Sequence, residues 1–267
     1  MGINLDQRRL HPAFMRHHGR MHAQPGVGLR PDAPWGYLPA SSFRSRRSAL
    51  SDAQRQTWER LWPQLGRQAD AGETPGETPD TPLDTRAWFG RSAPLVLEIG
   101  CGSGTSTLAM AQAEPDIDVI AVEIYRRGLA QLLCAIDAEQ VGNIRLIRGN
   151  GVDVLKDLIA PRSLTGVRVF FPDPWPKARH HKRRLLQTGT VSLIADRLLP
   201  GGVLHAATDH PGYAEHIGAV GDAEPRLVRA DPDSESLPIS ISRPTTKYET
   251  KAQEAGSHVC EFVWKRI

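Results

Sequence analysis

The chain has 267 residues, with 33 Lys and Arg against 30 Asp and Glu, 40% hydrophobic residues, 24% charged residues and a net formal charge of +3. That composition excludes a globally disordered chain and a coiled coil, and no apolar run approaches the ~20 residues a membrane span needs. Three cysteines, Cys101, Cys134 and Cys260, are odd in number and lack metal-ligand spacing, which points to a reducing cytoplasm and to no metal site.

Charge is uneven along the chain. Residues 1–50 carry eight Arg and only two acids, Asp6 and Asp32. Residues 1–41 hold Pro12, Pro25, Pro31, Pro34 and Pro39, show no sustained periodicity and read as a flexible basic arm. Such an arm suits a polyanionic partner or a solvated tail. No apolar stretch of signal-peptide type opens the sequence. Within residues 42–68, Ser51 stands as a helix cap before Trp58, Leu61, Trp62 and Leu65 at helical spacing, predicting a helix that ends near Pro63. Residues 69–85 form a Pro/Gly/acidic linker, and residues 86–267 form the main domain.

Strands and helices alternate after the linker. Strands are predicted at 95–99, 118–123, 144–148, 167–171 and 202–208, with a last edge strand within 257–266. Helices are predicted at 105–112, 125–139, 154–159, 185–199 and 212–220. Short apolar strands alternating with helices indicate a largely parallel α/β sheet.

Gly100, Gly102 and Gly104 fall where the first of these strands turns into a helix. Glycines there permit close backbone approach and leave helix N-terminal amides as donors, although a tight turn alone also asks for glycine. Glu98 lies two residues upstream, and Glu123 ends the next strand, where a carboxylate reaches ribose hydroxyls. A dinucleotide fingerprint would need a small residue where Thr105 stands, and the phosphate-loop Gly-Lys-Ser/Thr is missing, which disfavours a nicotinamide oxidoreductase. The combination resembles the S-adenosylmethionine site of class I methyltransferases, whose cationic ligand suits an acid-rich pocket.

Phe170-Phe171-Pro172-Asp173-Pro174-Trp175-Pro176-Lys177 closes the fourth predicted strand, and ligands in open α/β sheets bind beyond the carboxyl ends of the strands. Three prolines restrict the loop that carries Asp173 and Trp175. A carboxylate, an aromatic plane and a cation together can hold a purine; the bland alternative is a rigid loop whose Trp packs inward. Arg179, His180, His181, Lys182, Arg183 and Arg184 follow without an acid, either as a solvated face or as a grip on phosphates. Asp209 closes a further strand on the same rim, with helix capping as its plain alternative, and residues 245–249 read as a polar turn.

These motifs, with Arg243-Pro-Thr-Thr-Lys-Tyr-Glu249 and the Ser42 to Leu50 stretch before the Trp58/Trp62 helix, resemble the bacterial tRNA (guanine-N7-)-methyltransferases from residue 42 onward, apart from the linker. The resemblance implies a Rossmann-like class I methyltransferase fold: a mostly parallel seven-stranded sheet with helices on both faces and an antiparallel C-terminal edge strand. It implies S-adenosylmethionine as cofactor, held by Glu98, Gly100, Gly102, Gly104, Glu123, Asn150 and Asp173, with Asp173 also serving catalysis. Lys177, Asp209, Thr246, Lys247, Tyr248 and Glu249 would meet the substrate guanosine, and residues 179–184 the tRNA backbone. The expected target is guanosine 46 of the tRNA variable loop, with no membrane and no obligatory protein partner, as monomer or homodimer. The alternatives are methylation of another RNA or a catalytically silent tRNA-binding protein.

Overall fold

In the computed structural model, residues 49–69, 81–231, 236–244, 249 and 258–267 are described. The 1–41 arm, most of the 69–85 linker and residues 246–248 therefore lie outside the described residues.

The chain begins with α1 (Asp52–Leu65), opened by a reciprocal capping box between Ser51 and Gln54, and passes directly into β1 (Gly66–Gln68). Next come α2 (Thr85–Phe89), β2 (Leu95–Ile99), α3 (Thr105–Ala113), β3 (Asp118–Glu123), α4 (Arg126–Glu139) and β4 (Ile144–Arg148). A short α5 (Gly151–Asp153) runs into a π-helical turn, Val154–Leu158, before β5 (Leu164–Phe170). A 3-10 turn, Ala178–Arg183, precedes α6 (Thr188–Arg197), β6 (Leu198–Thr208), α7 (Pro211–Asp222), β7 (Leu227–Arg229) and β8 (Cys260–Arg266).

All eight strands form one sheet in the order β1-β4-β3-β2-β5-β6-β8-β7. Pairings from β1 through β6 are parallel, whereas β8 runs antiparallel to both β6 and β7. The order reverses between β2 and β5, which opens a crevice at the carboxyl ends of the strands. Alternation along β2 sends Leu95, Leu97 and Ile99 into one core with α6 and α7, and Val96 into another with α1 and α4. Helices therefore cover both faces, in the expected Rossmann-like class I methyltransferase arrangement.

The first helix ends near Pro63, as expected, at Leu65, with Pro63 exposed in its last turn. Two expectations need correction. The sheet has eight strands rather than the seven that the resemblance implies, and the two beyond the six read along the chain, Gly66–Gln68 and Leu227–Arg229, are too short to show a period and are held by their neighbours. And the C-terminal strand is antiparallel but not the edge, since β7 pairs along its outer side.

A polar row crosses the middle of the sheet. Glu98 of β2 pairs in register with Arg168 of β5, and Arg168 with His205 of β6. All three side chains are buried. Arg168 Nη2 donates to Glu114 Oε2 at 2.6 Å and to the Ser240 carbonyl at 3.2 Å, tying the 236–244 segment over the sheet.

Candidate active site

A cavity of about 250 Å³ occupies the crevice. Its walls are the carboxyl ends of four parallel strands: Ile99 and Gly100 after β2, Val122 to Tyr125 at β3, Gly149 to Val152 after β4, and Phe170 to Asp173 with Trp175 after β5. Lys182, Arg183, Arg184, Leu185 and Thr190 close the remaining side.

The glycine loop is built by backbone conformation. Gly100 has φ +81° and carries the chain away from β2 beneath the cavity, a conformation that a Cβ would strain. Glu123 fastens this loop to β3. Its Oε2 accepts from the Gly102 amide at 3.0 Å, and its Oε1 from the Ile124 and Tyr125 amides at 2.7 and 2.9 Å. A carboxylate offers about four acceptor positions, so Glu123 orders two loops and keeps acceptor capacity for a ligand hydroxyl. Asn150 caps α5, its Oδ1 accepting from the Val152 amide at 2.8 Å, which fixes its side chain at the cavity wall.

Helix α4 presses against the loop at Gly128, where a Cβ would stand 2.2 Å from the Gly102 carbonyl oxygen. Gly128→Ala is accordingly expected to destabilise the protein, although alanine in a helix ordinarily gains about 1 kcal/mol over glycine. A melting curve showing a higher Tm for the variant would contradict that packing.

The loop after β5 is held in an uncommon shape. Phe171, just before Pro172, and Trp175, between Pro174 and Pro176, adopt φ +49° and +44°, the left-handed region. Asp173 is exposed at the cavity rim, and Trp175 is half-buried, with the Arg183 guanidinium 5.1 Å from its ring centroid and His180 edge-on at 5.8 Å. Desolvation, followed by the positive charges of Arg183, Arg179 and Lys177, lowers the pKa of His180 from its ordinary value.

The cavity thus gathers Gly100, Glu123, Asn150 and Asp173 from the expected cofactor set. Glu98 lies beneath the wall rather than on it, buried in β2, and Gly102 and Gly104 act in the turn and at the head of α3. Lys177 and Asp209 are exposed and line no part of the cavity, and residues 246–248 fall outside the described residues. Asp209 does not cap α7; His210 does, accepting from the Tyr213 amide.

Arg184 needs the clearest correction. Rather than facing a tRNA backbone, it is buried. Its Nε donates to the Pro174 carbonyl at 2.9 Å and its Nη1 to the Gly212 carbonyl at 3.2 Å, with the guanidinium 4.9 Å from the Tyr213 centroid. It fastens the proline-rich loop to the start of α7. Arg184→Ala is expected to lower Tm and turnover while leaving the salt dependence of RNA binding at its original slope; a reduced slope would return Arg184 to the phosphate-contacting set.

Sequence reasoning did not single out Tyr125, Thr190 or Phe171 as cavity-lining residues. Tyr125, two residues after Glu123 at the end of β3, could have been placed there by strand topology alone. Among the described residues no cluster of three or more His, Cys, Asp or Glu could hold a metal ion, and no helix is long and apolar enough to cross a membrane.

Residues 92–262 match the family model Methyltransf_4, described as "Putative methyltransferase". The chain is 72% identical over 258 residues to the tRNA (guanine-N(7)-)-methyltransferase of Mycobacterium tuberculosis, covering 94% of this chain and 96% of that protein. It is 71% identical over 260 residues to the protein of that name from Mycobacterium avium, covering 94% and 100%. A third relative of the same name, from Mycobacterium ulcerans, is 68% identical over 276 residues, covering 94% and 99%.

Proposed function

The chain belongs to the tRNA (guanine-N7-)-methyltransferase family, and from that premise we propose that it transfers a methyl group from S-adenosylmethionine to N7 of guanosine 46 in the variable loop of tRNA. One observation carries the reading. Glu123, Asn150 and Asp173, from the ends of three different strands, converge on one cavity with a glycine loop on its wall.

The residues fit the donor. Glu123 and Asn150 supply acceptors of the kind that hold a ribose and an adenine edge, the glycine loop allows close backbone approach, and the acid set suits a cationic ligand. Bound there, S-adenosylmethionine supplies an electrophilic sulfonium methyl group. Guanine N7 carries its own lone pair, so attack on that methyl needs no prior deprotonation, and positioning dominates the chemistry. Methylation leaves the purine positively charged, and Asp173 at the cavity rim stabilises that charge and accepts a proton from the base edge. Trp175 offers a ring face beside it.

Arg179, Lys182 and Arg183 are exposed on the 3-10 turn next to the rim and form the phosphate grip. Changing all three to Glu is expected to weaken tRNA binding by about one to two orders of magnitude at moderate salt, and to reduce the slope of log K against log salt by up to about 3. Equal affinity and slope for the variant would place the RNA elsewhere. The proposal as a whole is tested with purified protein, labelled S-adenosylmethionine and unmodified tRNA. The product should be 7-methylguanosine mapped to position 46; absence of label in the RNA would overturn it.

A further inference from the structure

Glu249 ends the segment expected to meet the guanosine, yet its side chain is buried and both of its carboxylate oxygens accept from one guanidinium. Arg243 Nη1 donates to Glu249 Oε2 at 2.6 Å, and Arg243 Nη2 pairs with Oε1. The same Nη2 lies 2.6 Å from Glu261 Oε1 on β8. Glu261 Oε2 is in turn 2.9 Å from Nε2 of the fully buried His205 on β6. Only a planar fork spans two carboxylates in this way; a lysine ammonium would not.

The guanidinium also covers the root of the proline-rich loop. It lies 5.0 Å from the Phe171 centroid and 5.7 Å from that of Phe170, and Phe170 meets His205 edge-on at 4.9 Å. Phe171 holds φ +49°, a conformation that costs about 1 kcal/mol or more in a non-glycine residue and persists only where neighbours enforce it. Its amide donates to the Ala207 carbonyl at 2.8 Å, and two residues later the chain reaches Asp173.

We propose that Arg243 is a positioning residue, fastening Glu249 to the root of the Asp173 loop, with the exposed Glu261 linking it to the buried His205. The kinetic part of this proposal rests on the guanine-N7 methylation reading above; the structural part does not.

The experiment compares wild type, Arg243→Lys, Glu249→Gln and the double variant. Methylation kinetics use S-adenosylmethionine and unmodified tRNA, and hydrogen–deuterium exchange follows the Phe171 amide. Each single variant should lose at least about tenfold in kcat, with KM for the donor within about twofold, and the double variant should be no worse than the weaker single by more than about twofold. Exchange at Phe171 should accelerate in all three variants while the β2 amides keep the wild-type rate. A general structural defect would accelerate both. Full kcat in Glu249→Gln, or single losses that multiply in the double variant, would overturn the proposal, as would unchanged exchange at Phe171. Should the wild-type protein leave tRNA unmethylated, the functional reading fails, and the exchange data alone decide the role of Arg243.

Discussion

Asp173→Asn is expected to lower methyl transfer to tRNA by about a thousandfold, while tRNA affinity stays within about threefold of wild type. The expectation follows from where the carboxylate sits and what holds it. Asp173 lies at the rim of a cavity whose other walls come from β2, β3 and β4, and Pro172, Pro174 and Pro176 restrict the loop on either side of it. Arg184 binds the Pro174 carbonyl from below, and the left-handed turns at Phe171 and Trp175 fix the direction in which the loop leaves β5. None of these supports uses the Asp173 side chain, which is exposed. The substitution therefore removes a charge without removing a fold contact. Single-turnover rates at saturating tRNA and donor isolate the chemical step, and donor affinity measured by calorimetry separates binding from catalysis. A rate within about tenfold of wild type would show that positioning alone carries the reaction, with the carboxylate as a donor contact only.

What the sequence made legible divides along a physical line. Features set by local chemistry were readable: the helix cap at Ser51, the glycine turn after β2, the acid at the end of β3 and the proline-rich loop after β5. Each depends on residues within a few positions of one another. Features set by contacts distant in the chain were not. Gly66-Arg67-Gln68 is a strand only because β4 offers it an edge, and no period shows in three residues. Arg168 sits within an apolar run, and it is Glu114, fifty-four residues away, that makes its burial possible.

The basic run is the sharpest case. From Arg179 to Arg184 every residue is His, Lys or Arg, so composition cannot say which turn inward. The 3-10 turn over Ala178–Arg183 and the chain's exit from it decide that Arg183 covers Trp175 while Arg184 goes beneath the loop. Adjacent residues of one chemical type thus hold opposite tasks. Likewise, Glu249 reads as part of a polar turn until Arg243 is seen across from it.

The second large effect concerns Glu98 and stability. Burial pushes its carboxyl up to about 7, with the positive charge of Arg168 in the neighbouring strand opposing the shift, and its Oε2 has no hydrogen-bond partner among the described residues. In the unfolded chain the group has an ordinary glutamate value of 4.5. The folded state therefore holds its proton more tightly than the unfolded state does. Below pH 4.5 both states are protonated and the contribution is fully present. As pH rises toward about 7 the unfolded chain has lost a proton that the folded chain retains, and stability falls, by about 3 kcal/mol in all. Above about 7 both states are ionised and the loss from this group is complete. Glu98→Gln removes the ionisation, so urea unfolding should find the variant more stable than wild type by about 2–3 kcal/mol at pH 8, with the difference closing toward pH 5. Parallel stability curves for the two proteins would refute the burial argument. When ionised, this carboxylate under the wall of the cavity carries a negative charge that favours a cationic ligand. The same Glu98→Gln protein should accordingly bind the cationic donor more weakly than wild type does, and its loss of affinity should exceed its loss for S-adenosylhomocysteine, which lacks the sulfonium charge.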